Sequence, residues 1–432
     1  MASRTSFRKL SNRKKLLFLF CAAVLGLTLQ EGLSWCAIQY LEQTYQVSTH
    51  NVQKELVRSS TTRSSEAESI HPYLGWVLNP QLNTGTTLFD RTIPVNSQGF
   101  NDVEHGVLKR APDRFIVGIT GGSVAWQMSV AGEETLRREL AQHSRIQGKK
   151  IEIVRLAMAG YKQPQQLLSL TYALALGNEF DMIINVDGYN EIALGVVENY
   201  PPRIFPAYPR LWHARMQHAV DPQNYATAFR LLQLRGLKQQ VARGRLESWL
   251  PWSPTLNLIW WVRNKALEGK ILQLAAELQD QKNSKGLGFA ALGPKPQYTN
   301  ESELYAQLVS LWSETSLQMH RLCGANHCLY LHFLQPNQYL PNSKPMGAYE
   351  REKMFSDTQE YGISIAQGYP LLMKEGQKLR LKEVHFHDVT DIFSQIEDVI
   401  YADGYCHFNE RGNVLLAQAV AKQVLAMLDQ QK

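Results

Sequence analysis

Charge is scarce in this sequence, and its imbalance sits at one end. Asp, Glu, Lys and Arg make up 19% of the 432 residues, with a formal net charge of +6. Residues 1–15 hold Arg4, Arg8, Lys9, Arg13, Lys14 and Lys15 and no acid. With those six removed from the 45 basic residues, 39 remain against 39 acidic ones. The body of the chain is neutral, so nucleic-acid binding loses its main electrostatic support. No repeat of about 20–50 residues is present, which sets aside solenoids and propellers. Cysteine is sparse, at five residues. Cys323 and Cys328 are spaced to form a bridge or to stay as two buried thiols, and a zinc site lacks two further ligands at suitable spacing. What is abundant is hydrophobic residue, at 44%, which argues against disorder. The length suits one large α/β domain with insertions, or two domains.

The basic cluster leads into an apolar run. Leu16–Leu29 carries no charge, Gln30 and Glu31 interrupt it, and residues 32–41 are again mostly apolar. A membrane span needs about 20 residues, so a crossing must include Glu31 near one end. The competing reading is a cleaved signal peptide, but no clean small-x-small site follows. Trp35 beside Cys36 spoils a lipoprotein signal. The expectation is a basic cytoplasmic tail over 1–15 and an uncleaved single-pass anchor over 16–38. The positive-inside rule sends the rest outward.

Residues 39–70 are polar around Arg58–Ser65 and read as a linker. The remaining chain, 71–432, alternates strand-like and helix-like patterns. Strands are expected at Phe115–Ile119, Ile151–Leu156, Phe180–Val186, Cys328–Leu334 and Glu383–Phe386, and a closing amphipathic helix at 409–431. This implies an α/β fold with a mostly parallel sheet and a ligand site at the carboxyl ends of its strands. Residues 201–300 break the rhythm. They carry Trp212, Trp249, Trp252, Trp260 and Trp261 and a long helical pattern around 256–282. They read as an insertion, serving as a lid, a partner surface, a membrane-facing element or extra core.

Three consecutive strand ends present special residues: Ser123 after two glycines, then Gly160, then Asn190. Asp403-Gly404-Tyr405-Cys406-His407 precedes the last helix. A serine hydroxyl needs a base to become a nucleophile, and histidine serves near neutral pH. Asp403 would orient that imidazole. Backbone N–H groups of Ser123 and Gly160, with the Asn190 amide, would donate to an oxyanion. His385 and His387 read as one exposed strand face rather than metal ligands. The stretch from Gly118 to Ser123 lacks dinucleotide and P-loop spacing. Cys406 reads as structural, and Gln335 is a candidate site-lining residue.

This set of motifs resembles the SGNH (GDSL-like) hydrolase family over roughly residues 71–430, most of the insertion excepted. Gly122-Ser123, Gly160, Gly188-Tyr189-Asn190-Glu191 and Asp403–His407 match its four blocks. His71-Pro72-Tyr73-Leu74-Gly75-Trp76, Asn96-Ser97-Gln98-Gly99-Phe100 and Phe333-Leu334-Gln335-Pro336 are similar to segments of membrane-anchored bacterial relatives. The resemblance implies a three-layer flavodoxin-like fold and serine esterase, lipase or acyl-transfer chemistry without metal or organic cofactor. The location implied is the periplasmic side of the inner membrane. The substrate would be an acylated small molecule, lipid or polysaccharide; protein partners are not indicated. Three departures stand out. Gly122 replaces the usual Asp, Glu191 replaces another Asp, and Asp403 lies four residues before His407 where the family places its acid three before. Gly404 would absorb the extra residue through positive φ; otherwise the site is a Ser–His dyad. A membrane-anchored esterase or deacylase is therefore expected. The alternatives are an O-acyltransferase or cell-envelope polysaccharide-modifying protein using the same serine, and a binding module without turnover.

Overall fold

The computed structural model describes residues 12–45, 48–59, 68–82, 85–216, 222–250, 252–285, 289–356 and 358–430. Most of the basic tail and the centre of the expected linker lie outside these residues. The chain divides into two compact units. One comprises residues 1–64 and 221–286, the other 65–220 and 287–432.

The first unit is helical. The helix Asn12–Tyr45 includes a stretch long and apolar enough to cross a membrane. The linker expected over 39–70 is partly helical instead: the long helix continues to Tyr45 and a second covers Thr49–Ser59. Glu42 accepts from the backbone N–H and the hydroxyl of Thr49, at 2.7 and 2.8 Å, and so caps that second helix. The insertion contributes the helices Pro222–Leu246 and Pro254–Lys285 to this unit. Trp260, Trp261 and Ala242 are buried there against Leu41, Val52 and Leu56. The insertion expected at 201–300 is thus divided, with only its middle belonging to the helical unit.

The second unit is built on a parallel sheet. Two short hairpins come first: β1 (Glu68–His71) with β2 (Gly75–Leu78), and β3 (Thr86–Leu88) with β4 (Arg91–Ile93). The sequence reading did not anticipate them. The main sheet holds β5 (Arg114–Gly121), β6 (Lys150–Arg155), β7 (Met182–Asp187), β8 (Leu329–Leu334) and β9 (His385–Asp388), in the order β6-β5-β7-β8-β9, all parallel. The central β7 is buried at every position, whereas the edge strand β6 alternates, as burial on two faces or one requires. Helices pack in two groups. Ser123–Ala131 and Glu133–Leu140 meet Glu410–Gln430, while Gln165–Ala175 and Glu360–Leu381 meet Glu301–Ala325.

The segments His71–Trp76 and Asn96–Phe100 pin the loop after β6. Leu74, Trp76 and Phe100 are buried with Tyr161. The Tyr161 hydroxyl donates to the Trp76 carbonyl at 2.5 Å, and Gln165 Nε2 to the Leu74 carbonyl at 2.9 Å. Asn96 Oδ1 accepts from the N–H groups of Gln98 and Phe100 and tightens the turn that delivers Asp102. The fully buried Asp102 carboxylate receives Arg155 Nη1 at 2.7 Å and the Arg155 N–H at 2.8 Å, which fixes the end of β6.

Asp102→Ala removes one of the two carboxylates on the Arg155 guanidinium, Glu133 being the other, and leaves the buried Arg155 N–H without its acceptor. The loss is expected to cost about 1–3 kcal/mol of stability, read as a lower denaturant midpoint. An unchanged midpoint would refute the anchoring role of Asp102.

Candidate active site

The adjacency of β6, β5 and β7 sets their three following loops side by side. The β5 chain passes through Gly121 and Gly122 into the helix that starts at Ser123. Gly121 has φ +140°, and a Cβ there would stand 2.1 Å from the Val186 carbonyl oxygen. A Cβ on Gly122 would meet Asn190 Nδ2 at 2.3 Å. The aspartate that the resemblance leads one to expect at 122 would therefore displace the Asn190 amide from this position. Its absence lets the serine loop close onto the asparagine loop. Ser123 opens a nine-residue helix, whose unpaired N–H groups and dipole favour developing negative charge.

Asn190 follows β7 in the short helix Tyr189–Ala193, and its Nδ2 donates to the Tyr161 carbonyl at 2.8 Å. Glu191, the second departure from the family pattern, uses its longer side chain to hold both loops. Its Oε2 accepts from the Gly188 N–H at 2.7 Å; its Oε1 accepts from the Gln163 N–H at 3.1 Å and Gln166 Nε2 at 2.8 Å. Burial, then the nearby Asp187 charge, pushes the Glu191 carboxyl up, against the backbone donors that favour its ionised form. Gly160 follows β6 with φ +83° and lies under the Arg210 side chain.

The structure brings Ser123, His407 and Asp403 into one chain of contacts. Ser123 Oγ lies 2.7 Å from His407 Nε2, and Asp403 Oδ2 lies 2.5 Å from His407 Nδ1. Asp403 Oδ1 accepts from the Tyr405 N–H at 2.9 Å. Burial would raise the Asp403 carboxyl, but the His407 hydrogen bond and charge and the backbone N–H groups outweigh it and hold it below its ordinary value. The four-residue spacing needs no left-handed glycine, because Gly404 is not among the positive-φ glycines. Instead the loop is closed at its base. Tyr401 and Phe408 form an antiparallel bridge, the Ala402 N–H donates to the His407 carbonyl at 2.9 Å, and Gln338 Nε2 donates to the Asp403 carbonyl at 2.9 Å.

Ser123, Gly160, Asn190 and His407 line a cavity of about 190 Å³. The cavity is lined as well by Tyr405 of the Asp403–His407 block and by Leu194, Glu198, Arg210 and Tyr361, which the sequence did not mark. Glu198 Oε2 receives Arg210 Nε at 3.0 Å, Glu198 Oε1 receives Arg210 Nη2 at 2.6 Å, and Tyr361 donates to the same Oε1 at 3.1 Å. Arg210 sits on a stretch read as insertion, where no periodicity marks it. Lys162 is fully buried and donates to the Pro206 carbonyl, fastening that stretch; burial lowers its ammonium to about 8. Gln335 does not line the cavity but is buried with its side chain against Cys406, which is also buried. His385 and His387 are not an exposed face either: both are half-buried, and His387 stacks on Phe333 at 5.1 Å. Cys323 and Cys328 are buried free thiols.

A second set of the same three residue types lies beneath β7. His332 Nδ1 is 2.7 Å from Ser316 Oγ, and His332 Nε2 is 2.7 Å from Asp187 Oδ1. Ser316 and His332 have no exposed surface, and Asp187 has 2%. Asp187 also receives Trp312 Nε1 and Asn185 Nδ2, each at 2.7 Å, so this set anchors the end of β7 and offers no route for a substrate. No family model matches the chain, and comparison with curated proteins finds no match.

The short contact between His407 Nδ1 and Asp403 should give a proton resonance downfield of the amide region. It is expected to disappear in Asp403→Asn and to persist in Ser123→Ala. Its absence from the unmodified protein would break the assigned orientation of His407.

Proposed function

We propose that this chain is a serine hydrolase of the SGNH type, with the corresponding three-layer fold, that cleaves an O-acyl ester. The observation that carries the reading is the open Ser123–His407–Asp403 chain at the carboxyl ends of adjacent parallel strands. His407 Nε2 would take the Ser123 proton as Oγ attacks the acyl carbonyl. Asp403 holds the ring so that Nε2 faces the serine and stabilises the imidazolium that forms. The oxyanion would receive the Ser123 and Gly160 N–H groups and the Asn190 amide, with the helix N-terminus adding to their field. His407 then returns its proton to the leaving alcohol. Water attacks the acyl-enzyme with His407 as base, releasing the acid and restoring Ser123. A sugar hydroxyl in place of that water would make the same serine an O-acyltransferase, and analysis of products with and without an added acceptor separates the two. In this reading the protein is a single-pass inner-membrane protein with its second unit on the periplasmic side.

A fluorophosphonate probe should label the wild type and not Ser123→Ala. Labelling retained in the variant would move the nucleophile, and no labelling of folded wild type would favour a binding module. On a short-chain ester, Asp403→Asn should lower turnover by ~10³–10⁴-fold. Asn190→Ala should lower kcat by ~10²–10³-fold, with a smaller change in KM. A pure KM effect would remove Asn190 from the oxyanion site.

A further inference from the structure

The helical unit explains how an acid is tolerated within an apolar run, and in doing so fixes the depth of two exposed tryptophans. From Leu16 to Gln30 the helix Asn12–Tyr45 spans about 22 Å, at a rise of about 1.5 Å per residue. A bilayer's hydrocarbon core is about 30 Å thick, so a helix entering after Lys15 crosses completely only near residue 35. Glu31 and Ser34 then lie at or just inside the far boundary. Neither faces that environment alone. Glu31 Oε1 accepts from Ser253 Oγ at 2.6 Å, Glu31 Oε2 accepts from the Thr255 N–H at 3.0 Å, and Ser34 Oγ lies 3.0 Å from Thr255 Oγ1. Glu31 thus caps the insertion helix Pro254–Lys285. Residues 253–255 are thereby held at the level where the membrane helix leaves the hydrocarbon.

Trp249 and Trp252 immediately precede this contact, and they are 86% and 71% exposed. They do not trail from a loose chain. Buried Arg245 gathers their segment, with Nη1 donating to Ser248 Oγ at 2.7 Å and to the Leu250 carbonyl at 3.1 Å, and Nη2 donating to the Ser253 carbonyl at 3.0 Å. Leu33 and Trp35 are exposed on the membrane helix at the same level, at 72% and 56%. Indole combines an apolar body with one N–H donor, the chemistry that favours the boundary between acyl chains and headgroups.

We infer that Trp249 and Trp252 are a second membrane contact, seated in the headgroup layer on the side where the helix Asn12–Tyr45 emerges. The occupant of this surface is lipid, because the residues that follow these tryptophans are hydrogen-bonded to the apolar helix at Glu31 and Ser34, whose neighbours Leu33 and Trp35 are exposed. The inference rests on that helix crossing a bilayer. It makes the middle of the insertion a membrane-seated element: one continuous span and one interfacial wedge, joined through Glu31.

The test uses the full chain in nanodiscs of phosphatidylcholine, with or without bromine on the acyl-chain carbons nearest the headgroup. Wild type, Trp249→Phe/Trp252→Phe and Trp35→Phe are compared. Brominated lipid should quench a component of tryptophan emission that is missing from the double variant, and a separate component missing from Trp35→Phe. Equal quenching of wild type and the double variant overturns the inference. Acrylamide then distinguishes a surface left in water, where it quenches the two tryptophans, from one covered by protein or a second copy, where it does not. Quenching of Trp35 alone overturns only the wedge, whereas no quenching of either group removes the membrane helix itself.

Discussion

The close approach of the end of β5 to the end of β7 is the constraint around which the candidate site is arranged. Two glycines in succession make it possible. Gly121 takes a backbone conformation that side chains rarely adopt, and Gly122 leaves the space that the Asn190 amide fills. Ser123 consequently starts its helix beside Asn190, and Asn190 reaches the Tyr161 carbonyl in the loop after β6. Glu191 ties the same two loops from beneath through backbone N–H groups. Three strands consecutive in sequence therefore deliver their ends to one place, and the distant loop carrying Asp403 and His407 only has to meet a surface already assembled.

That loop shows how a shift in spacing is absorbed without loss of geometry. An extra residue between acid and histidine would normally swing the carboxylate away. Here the backbone bridge at Tyr401 and Phe408 closes the loop at its base, and backbone N–H groups within it hold the Asp403 carboxylate. The carboxylate is thus positioned by donors of its own loop as well as by the imidazole. Another part of the cavity lining is organised differently: Arg210, Glu198 and Tyr361 form a hydrogen-bonded side-chain network, and buried Lys162 fastens the stretch that bears Arg210.

The parallel sheet was legible in the sequence because its strands are short apolar runs, each ending in glycine or a polar turn. Their limits were less so. The last strand was expected from Glu383, but Glu383 has φ +65° and completes a turn, so β9 begins at His385. The fourth begins at Leu329 because the Cys328 N–H still closes the preceding helix by donating to the Cys323 carbonyl. Ser123, Gly160, Asn190, Asp403 and His407 could be found because each stands at a strand end or beside the closing helix. Glu198 and Arg210 could not. Glu198 enters the cavity from a π-helical turn over Leu194–Asn199, and Arg210 from an irregular strap, and neither leaves a periodic trace. The hairpins before β5 escaped notice because their strands are only three or four residues long.

The buried Ser316–His332–Asp187 set has a consequence for recognising sites by shape. Among the described residues, a serine, a histidine and an aspartate stand at hydrogen-bonding separation in two places in this one domain, with contacts of 2.7 Å in one and 2.5–2.7 Å in the other. Separation alone ranks them as equals. What divides them is the path from solvent: one serine opens on a cavity, and the other is fully buried against the Tyr330 hydroxyl and a histidine packed by Trp312 and Phe386. The same triplet is thus a rivet in one place and a candidate reaction centre in the other, and the open approach to the serine oxygen is what tells the two apart.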